Sequence, residues 1–236
     1  MTPARRAVCT DEQMLQSSPM NSDFARQQMV EQQIRTWDVF EDRLLDLFRE
    51  LPREDFVPSE WRQLAYADAE IPLAHGERML RPSVEGRLLQ ALALAPGDSV
   101  LAVGTGSGFL TACLARLAAS VTSVDIHEDV LNAAAEKFAQ HGIDNVSLKR
   151  HDVAADGPPD GQFDAIAVTG SLPRLDERLL EALAPGGRLF VVIGEPPVME
   201  ARVYTRQPDG SIASRAAFET CLPRLQNVVE PSAFSF

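Results

Sequence analysis

Three glycines in the run Val100-Leu101-Ala102-Val103-Gly104-Thr105-Gly106-Ser107-Gly108-Phe109-Leu110 constrain this chain more than any other feature. Four apolar residues lead into Gly104, and the helix-patterned stretch "FLTACLARLA" leaves Gly108. A buried strand, a tight turn and a helix follow from that order, because glycine lets the backbone turn sharply and approach a ligand closely. The same rhythm continues downstream. "SVTSVD" reads as a strand ending in an acid, and "HEDVLNAAAEKFAQHG" as a helix stopped at Gly142. "NVSLKRHD" and "FDAIAVTG" read as strands, "DERLLEALAPGG" as a helix closed by Pro185-Gly186-Gly187, and "RLFVVIG" as a buried strand. Two weaker strands flank a turn at Pro208-Asp209-Gly210. Strand–helix alternation demands right-handed crossovers, so the expected class is α/β with a doubly wound, mainly parallel sheet.

The N-terminal part is patterned differently. Residues 1–20 are polar and aperiodic and are expected to form a disordered leader. Ser22 or Asp23 is placed to cap a helix through "FARQQMVEQQIRTW", with Phe24, Met29, Val30, Ile34 and Trp37 towards one face. A second helix in "EDRLLDLFREL" carries Leu44, Leu45, Leu47 and Phe48 and ends at Pro52. "EWRQLAY" suggests a further helical turn. The expected division is therefore N-terminal helices and a substrate loop over 21–82, a cofactor-binding domain over 83–225, and a C-terminal tail over 226–236.

Composition removes several classes of function. The chain has 236 residues and a net charge of −12, which argues against a nucleic-acid partner, since such affinity rests on a basic footprint. No stretch approaches the roughly 18 apolar residues of a membrane span. Cys9, Cys113 and Cys221 are far apart and form no C-x-x-C pair, which fits a reducing cytoplasm, and Cys113 reads as core.

The glycine spacing selects the cofactor class. A dinucleotide fingerprint needs G-x-G-x-x-G, and Phe109 stands where its third glycine would be. The pattern is instead G-x-G-x-G, similar to that of S-adenosylmethionine-dependent methyltransferases. Asp125 ends the second strand and can accept two hydrogen bonds from a ribose diol. Asp152 follows the third strand, where such enzymes often meet the adenine amino group. The expected cofactor-binding set is Gly104, Thr105, Gly106, Ser107, Gly108, Asp125, Ile126, Asp152 and Val153. Asp125 and Asp152 can equally serve as strand-end caps, since turn chemistry favours Asp there. There is no P-loop, no G-x-S-x-G elbow around Ser107, and no metal-ligand spacing among His75, His127, His141 and His151, so no metal is expected. His151 and Asp152 are neighbours on a strand, which would aim them at opposite faces.

From Met29 to Gly194 the chain resembles the protein-L-isoaspartate O-methyltransferases. "MVEQQIR", "LPREDFVP" and "AYADAEIPLAHGE" resemble successive landmarks of that family. "VLAVGTGSGF" matches its V-L-E-I-G-T-G-S-G-Y, with Ala102 replacing a glutamate, and "FDAIAVTG" and "LAPGGRLFVVIG" match its later strands. The resemblance implies a Rossmann-like methyltransferase fold, S-adenosylmethionine as cofactor, and methyl transfer to the α-carboxylate of an isoaspartyl residue in damaged protein. It also aligns "GERMLRPS" with the family's active-site segment T-I-S-Q-P-Y. Pro82 matches the proline, but the family's serine falls on Leu80, its threonine on Arg78, its glutamine on Arg81 and its tyrosine on Ser83. Leucine donates no hydrogen bond. Either an arginine, Arg78 or Arg81, takes over carboxylate recognition, or both are solvated charges and Leu80 plugs the pocket. Ser83 is expected to cap the helix in "VEGRLLQALAL".

Three functions follow: methyl transfer to isoaspartyl protein or peptide, transfer to another carboxylate or small-molecule acceptor, or cofactor binding without transfer. Leu80 favours the last two and predicts weak or absent methylation of an isoaspartyl peptide.

Overall fold

The computed structural model describes residues 22–228, so the expected leader and the last eight residues of the tail lie outside it. Helix α1 (Ser22–Met29) runs on through a π-helical turn, Val30–Ile34, and a 3₁₀ turn, Arg35–Trp37. A wider turn rotates everything beyond it relative to an α-helical wheel. Met29, Val30 and Ile34 are buried, whereas Phe24 and Trp37, expected on the same face, are 61% and 41% exposed. Helix α2 (Asp42–Glu50) buries Leu44, Leu45, Leu47 and Phe48, and stops where Leu51 becomes extended ahead of Pro52. Short 3₁₀ turns follow at Arg53–Asp55 and Ser59–Leu64.

A two-stranded antiparallel ribbon comes next, β1 (Ile71–Pro72) and β2 (Arg78–Met79). Its turn carries His75 at φ 58° and Gly76 at φ 76°. Helix α3 (Pro82–Leu92) starts with proline at its first position, where the missing N–H costs nothing. The N-cap is Arg81, not Ser83 as expected. The Ser83 hydroxyl instead donates to Asp68 Oδ1 at 2.7 Å.

The remaining elements are β3 (Ser99–Val103), α4 (Phe109–Leu117), β4 (Ser120–Asp125), α5 (Glu128–Gln140), β5 (Val146–Arg150), α6 (Val153–Asp156), β6 (Phe163–Leu172), α7 (Glu177–Glu181), β7 (Leu183–Glu195), β8 (Val198–Arg206) and β9 (Ile212–Glu219). The sheet order is β5-β4-β3-β6-β7-β8-β9. The first five strands are parallel, and β8 and β9 add antiparallel at one edge. Helix α7 is shorter than its sequence suggests. Pro185 cannot continue a helix, Leu183 already pairs with Phe163, and the Pro185-Gly186-Gly187 run becomes a register shift before Arg188 pairs with Ala165.

Buried side chains of the central strands alternate between two cores. Val100, Ala102, Ala165, Ala167, Phe190 and Val192 face α3, α4 and the N-terminal helices. Leu101, Val103, Ile166, Val168, Leu189 and Val191 face the other side with α7. The sheet is thus covered on both faces, and the carboxyl ends of its parallel strands are left to build a site.

Candidate functional site

An open cavity lies at the carboxyl ends of β3, β4, β5 and β6. Strand β3 sits where the strand order reverses, the place where open α/β sheets leave a ligand crevice. Gly104 enters the cavity wall at φ +89°, and a Cβ there would stand 2.2 Å from Thr169 Oγ1. That hydroxyl donates to the carbonyls of Val103 and Gly104 at 3.0 and 3.2 Å, so this corner has room only for glycine. Gly108, at φ +87°, caps α4 in the left-handed region.

Asp125 pins the loop from below. Its Oδ2 accepts from the N–H groups of Thr105 and Gly106 at 3.0 and 3.2 Å, and its Oδ1 from His127 N–H at 3.0 Å. Asp152 caps α6 through Oδ1, which accepts from Ala154 and Ala155 N–H, and also borders the cavity. The capping and ligand-facing readings of these acids therefore coexist. Gly104, Gly106, Asp125, Ile126, Asp152 and Val153 all border the cavity. Thr105, Ser107 and Gly108 do not, and support the wall from behind. The Thr105 hydroxyl bonds that of Ser123 at 2.8 Å, and Ser107 Oγ accepts from Phe109 N–H at 3.2 Å. Lys137 Nζ donates to the carbonyls of Phe56 and Ser107, both at 3.0 Å, tying the N-terminal region to the glycine loop. Burial holds this ammonium below the ordinary lysine pKa.

The ribbon β1–β2 supplies the opposite rim through Leu73, Glu77 and Arg78. Arg78 is half exposed, and its nearest carboxylate, Glu70, is 3.9 Å away, too far for a hydrogen bond. Arg81 is exposed and does not border the cavity. Nor does Leu80, which is 6% exposed and packed in the main core, so it plugs nothing. Its carbonyl accepts from the guanidinium of Arg53 at 2.5 Å. Arg53 is fully buried, pairs with Glu85 on α3, and lies 4.9 Å from the Phe109 ring centroid. Burial pushes Glu85 up to about 7, with the Arg53 charge pulling the other way. A buried ion pair thus fastens the backbone of the loop that sequence likeness marks as catalytic.

Three nitrogen and oxygen donors do converge, at His75, His127 and Asp129, within 4.8 Å of one another. The two imidazoles stack at 3.7 Å between centroids and 6° between planes, so their in-plane lone pairs run parallel instead of meeting at one point. His75 Nε2 bonds the Asp129 carboxylate at 2.9 Å. The cluster acts as a fastener between the ribbon turn and the head of α5. His151 and Asp152 both border the cavity, against the alternation argument, because β5 has ended at Arg150 and the pleat no longer governs them.

Sequence reasoning missed one wall altogether. Pro223, Arg224, Leu225 and Gln226 border the cavity, although they belong to no helix or ladder strand. Ser171 anchors them: its N–H donates to Pro223 carbonyl at 2.8 Å, and its own carbonyl accepts from Leu225 N–H at 3.0 Å. No periodicity marks such a segment, because its position depends on a partner more than fifty residues away.

Comparison with known proteins matches residues 24–223 to the family described as protein-L-isoaspartate(D-aspartate) O-methyltransferase. A protein-L-isoaspartate O-methyltransferase 1 of Rhodopseudomonas palustris (strain HaA2) is 37% identical over 169 residues, covering 72% of this chain and 69% of its own. A protein-L-isoaspartate O-methyltransferase 2 of Anaeromyxobacter sp. (strain Fw109-5) is 33% identical, covering 87% and 79%. A Plasmodium falciparum structure solved with S-adenosyl-L-homocysteine superimposes with a TM-score of 0.73 at 23% identity, over 85% of this chain and 98% of that one, which supports the fold. The chain belongs to the protein-L-isoaspartate(D-aspartate) O-methyltransferase family.

Proposed function

We propose that this protein is an S-adenosylmethionine-dependent methyltransferase that esterifies a carboxylate of a protein or peptide, the α-carboxylate of an isoaspartyl residue, and that Arg78 holds this acceptor. The observation that carries the reading is the cavity itself. One wall is glycine backbone with Asp125 and Asp152, and the rim opposite carries Arg78. The wall fits a nucleoside. Val103, Val124, Ile126 and Val153 give apolar surface for a base, the lone pair that Asp125 Oδ1 still has available suits one ribose hydroxyl, and Asp152 suits an exocyclic amine. A Cβ at Gly104 would collide with Thr169 Oγ1 at 2.2 Å, and one at Gly106 would touch Leu73 Cδ1 at 3.5 Å, both on side chains that border the cavity.

The cofactor supplies an electrophilic methyl on a sulfonium. The acceptor carboxylate is ionised at neutral pH and needs no general base. With the cofactor bound, one carboxylate oxygen would form the O–CH₃ bond as the C–S bond broke, leaving the electron pair on sulfur and moving no proton. What the protein contributes is alignment, which can lower a barrier by about 7–11 kcal/mol in good cases. Arg78 is suited to that work. Its guanidinium can grip one oxygen or both, and the Glu70 carboxylate, 3.9 Å from its Nε, stands beyond hydrogen-bond reach. Position 80 needs no hydroxyl in this arrangement, because its side chain points into the core and only its backbone is held.

The test is transfer of tritiated methyl from labelled cofactor to an isoaspartyl peptide, read as base-released methanol, the signature of a methyl ester. Labelled ester with the isoaspartyl peptide and none with its aspartyl isomer is expected. A second reading, cofactor binding without transfer, is favoured by Leu80 standing where the family keeps its serine. Tight S-adenosylhomocysteine binding with no methyl ester on the peptide or on proteins of a cell extract would establish it instead.

A further inference from the structure

Among the described residues, three carboxylate side chains border the cavity, and two of them are bonded to backbone. Asp125 and Asp152 accept N–H groups on the cofactor side. The third, Glu77, stands on the acceptor rim beside Arg78. Its Oε1 accepts from the neutral side-chain amide of Gln226, and among the described residues no lysine, arginine or histidine forms an ion pair with it. Its backbone is fixed from both sides. The N–H donates to the Ala74 carbonyl at 3.1 Å, and the carbonyl accepts from Leu73 N–H at 2.8 Å. A half-buried carboxylate is thus held in place next to the guanidinium on the same rim.

An acid at that place disfavours an acceptor that brings only a carboxylate, because like charges at close range repel. It favours an acceptor that also carries a cation on the carbon bearing the carboxylate. An isoaspartyl residue offers this in one position only. Its chain leaves through the β-carboxyl, so the α-carbon bears both the free α-carboxylate and the α-nitrogen. Inside a chain that nitrogen is a neutral amide. At the start of a chain it is an ammonium, largely charged at neutral pH because its pKa is about 8. Consecutive residues of opposite charge suit such a head group, since their Cα atoms are only about 3.8 Å apart. The single amide on Glu77 leaves its second oxygen open to an ammonium N–H.

We propose that Glu77 is a specificity residue of the acceptor site, binding the α-ammonium of an amino-terminal isoaspartyl residue while Arg78 binds its α-carboxylate. The favoured substrate class is a β-linked aspartyl peptide with a free α-amino group, ahead of an isoaspartyl residue inside a chain. This rests on the reading that the site methylates an isoaspartyl carboxylate held by Arg78.

The measurement is kcat/KM for tritiated-methyl transfer by the full chain, at pH 7, to two peptides of one sequence. One begins with a free isoaspartyl residue, and the other carries the same residue N-acetylated. Wild type should favour the free-amine peptide about tenfold, the effect of one charge-assisted contact. Glu77→Gln keeps an oxygen for the Gln226 amide and removes only the charge. It should lower kcat/KM about tenfold for the free-amine peptide and raise it severalfold for the acetylated one, so that the preference disappears or reverses. Equal or better transfer to the acetylated peptide by wild type overturns the proposal and leaves the isoaspartyl reading standing. An equal fall on both peptides in Glu77→Gln does the same. Base-labile label on neither peptide overturns the isoaspartyl reading and this proposal with it. Free L-aspartate carries the same head group without a peptide, and a higher kcat/KM for it than for the free-amine peptide overturns the assignment of a peptide acceptor.

Discussion

The two sides of the cavity are built by different means. The cofactor side is made of strand ends and the turns that leave them, so its groups are placed by the sheet ladder and by short-range bonds such as Asp125 to Thr105 and Gly106. The acceptor side is a short two-stranded ribbon, a loop and the Pro223–Gln226 segment, placed by distant partners: Arg53 on the Leu80 carbonyl, Asp129 on His75, Gln226 on Glu77. A wall made of ladder strands resists change, while a wall held by individual polar contacts can be altered one contact at a time. That is how the acceptor segment can carry Leu80 and two arginines while the glycine wall keeps its form.

The largest effect on this contrast should come from Arg53. Arg53→Ala leaves the Glu85 carboxyl and the Leu80 carbonyl buried without their donor, and removes side-chain volume from beside Phe109. A loss of about 3–5 kcal/mol in unfolding free energy by denaturant titration is expected. A loss under 1 kcal/mol would show that the acceptor loop does not depend on this pair. On the cofactor side, Gly104→Ala meets both a positive φ and Thr169 Oγ1. Calorimetry should find S-adenosylhomocysteine binding weakened on the order of 100-fold, from a strain of about 1–3 kcal/mol plus displacement of the threonine.

Arg78→Ala tests whether the two sides can be separated. The acceptor KM should rise about tenfold, the loss of one charge-assisted contact, with cofactor affinity within twofold of wild type. A matched fall in cofactor affinity would mean that Arg78 serves both sides. The smallest effect is a pH dependence. Burial raises the Glu85 pKa from 4.5 towards about 7, so the folded state holds a proton that the unfolded state has released. Its contribution to stability is present in full below about 4.5 and is lost as pH rises through about 7. Glu85→Gln should flatten that part of the stability–pH curve relative to wild type, as chemical denaturation from pH 4 to 8 would show. An unchanged slope would place the Glu85 titration elsewhere.

How much of this was legible in the sequence follows the same division. The doubly wound sheet, the glycine turn and the acids after β4 and β5 were readable because each is a local pattern: an apolar run, a turn, an acid at a fixed place. Six of the nine residues expected at the cofactor wall border the cavity; Thr105 and Ser107 miss because they alternate with Gly104 and Gly106 along the loop, and Gly108 because it is already the cap of α4. The acceptor side read poorly. Leu80 as a plug stood open beside recognition by an arginine because the alignment of a motif says which residue stands at a position, not which way its side chain points. Burial in the core and the Arg53 bond decided that. Trp37 was misplaced because a π-helical turn has no simple sequence sign, and Phe24 because, five positions before Met29 in the plain α-helix, it stands about 140° round the wheel from it. The wall at Pro223–Gln226 was invisible because its place is set by Ser171 and Glu77, both far away in the chain.

The central claim is that this site esterifies a carboxylate held by Arg78, with no hydroxyl at position 80. Transfer of tritiated methyl to an isoaspartyl peptide, scored as base-labile label for wild type, Leu80→Ser and Arg78→Ala, tests it most directly. Base-labile methyl from wild type, a rate not raised more than twofold by Leu80→Ser, and kcat/KM about tenfold lower in Arg78→Ala are the predicted results. No base-labile methyl from a wild type that binds S-adenosylhomocysteine, or label that appears only in Leu80→Ser, would contradict it.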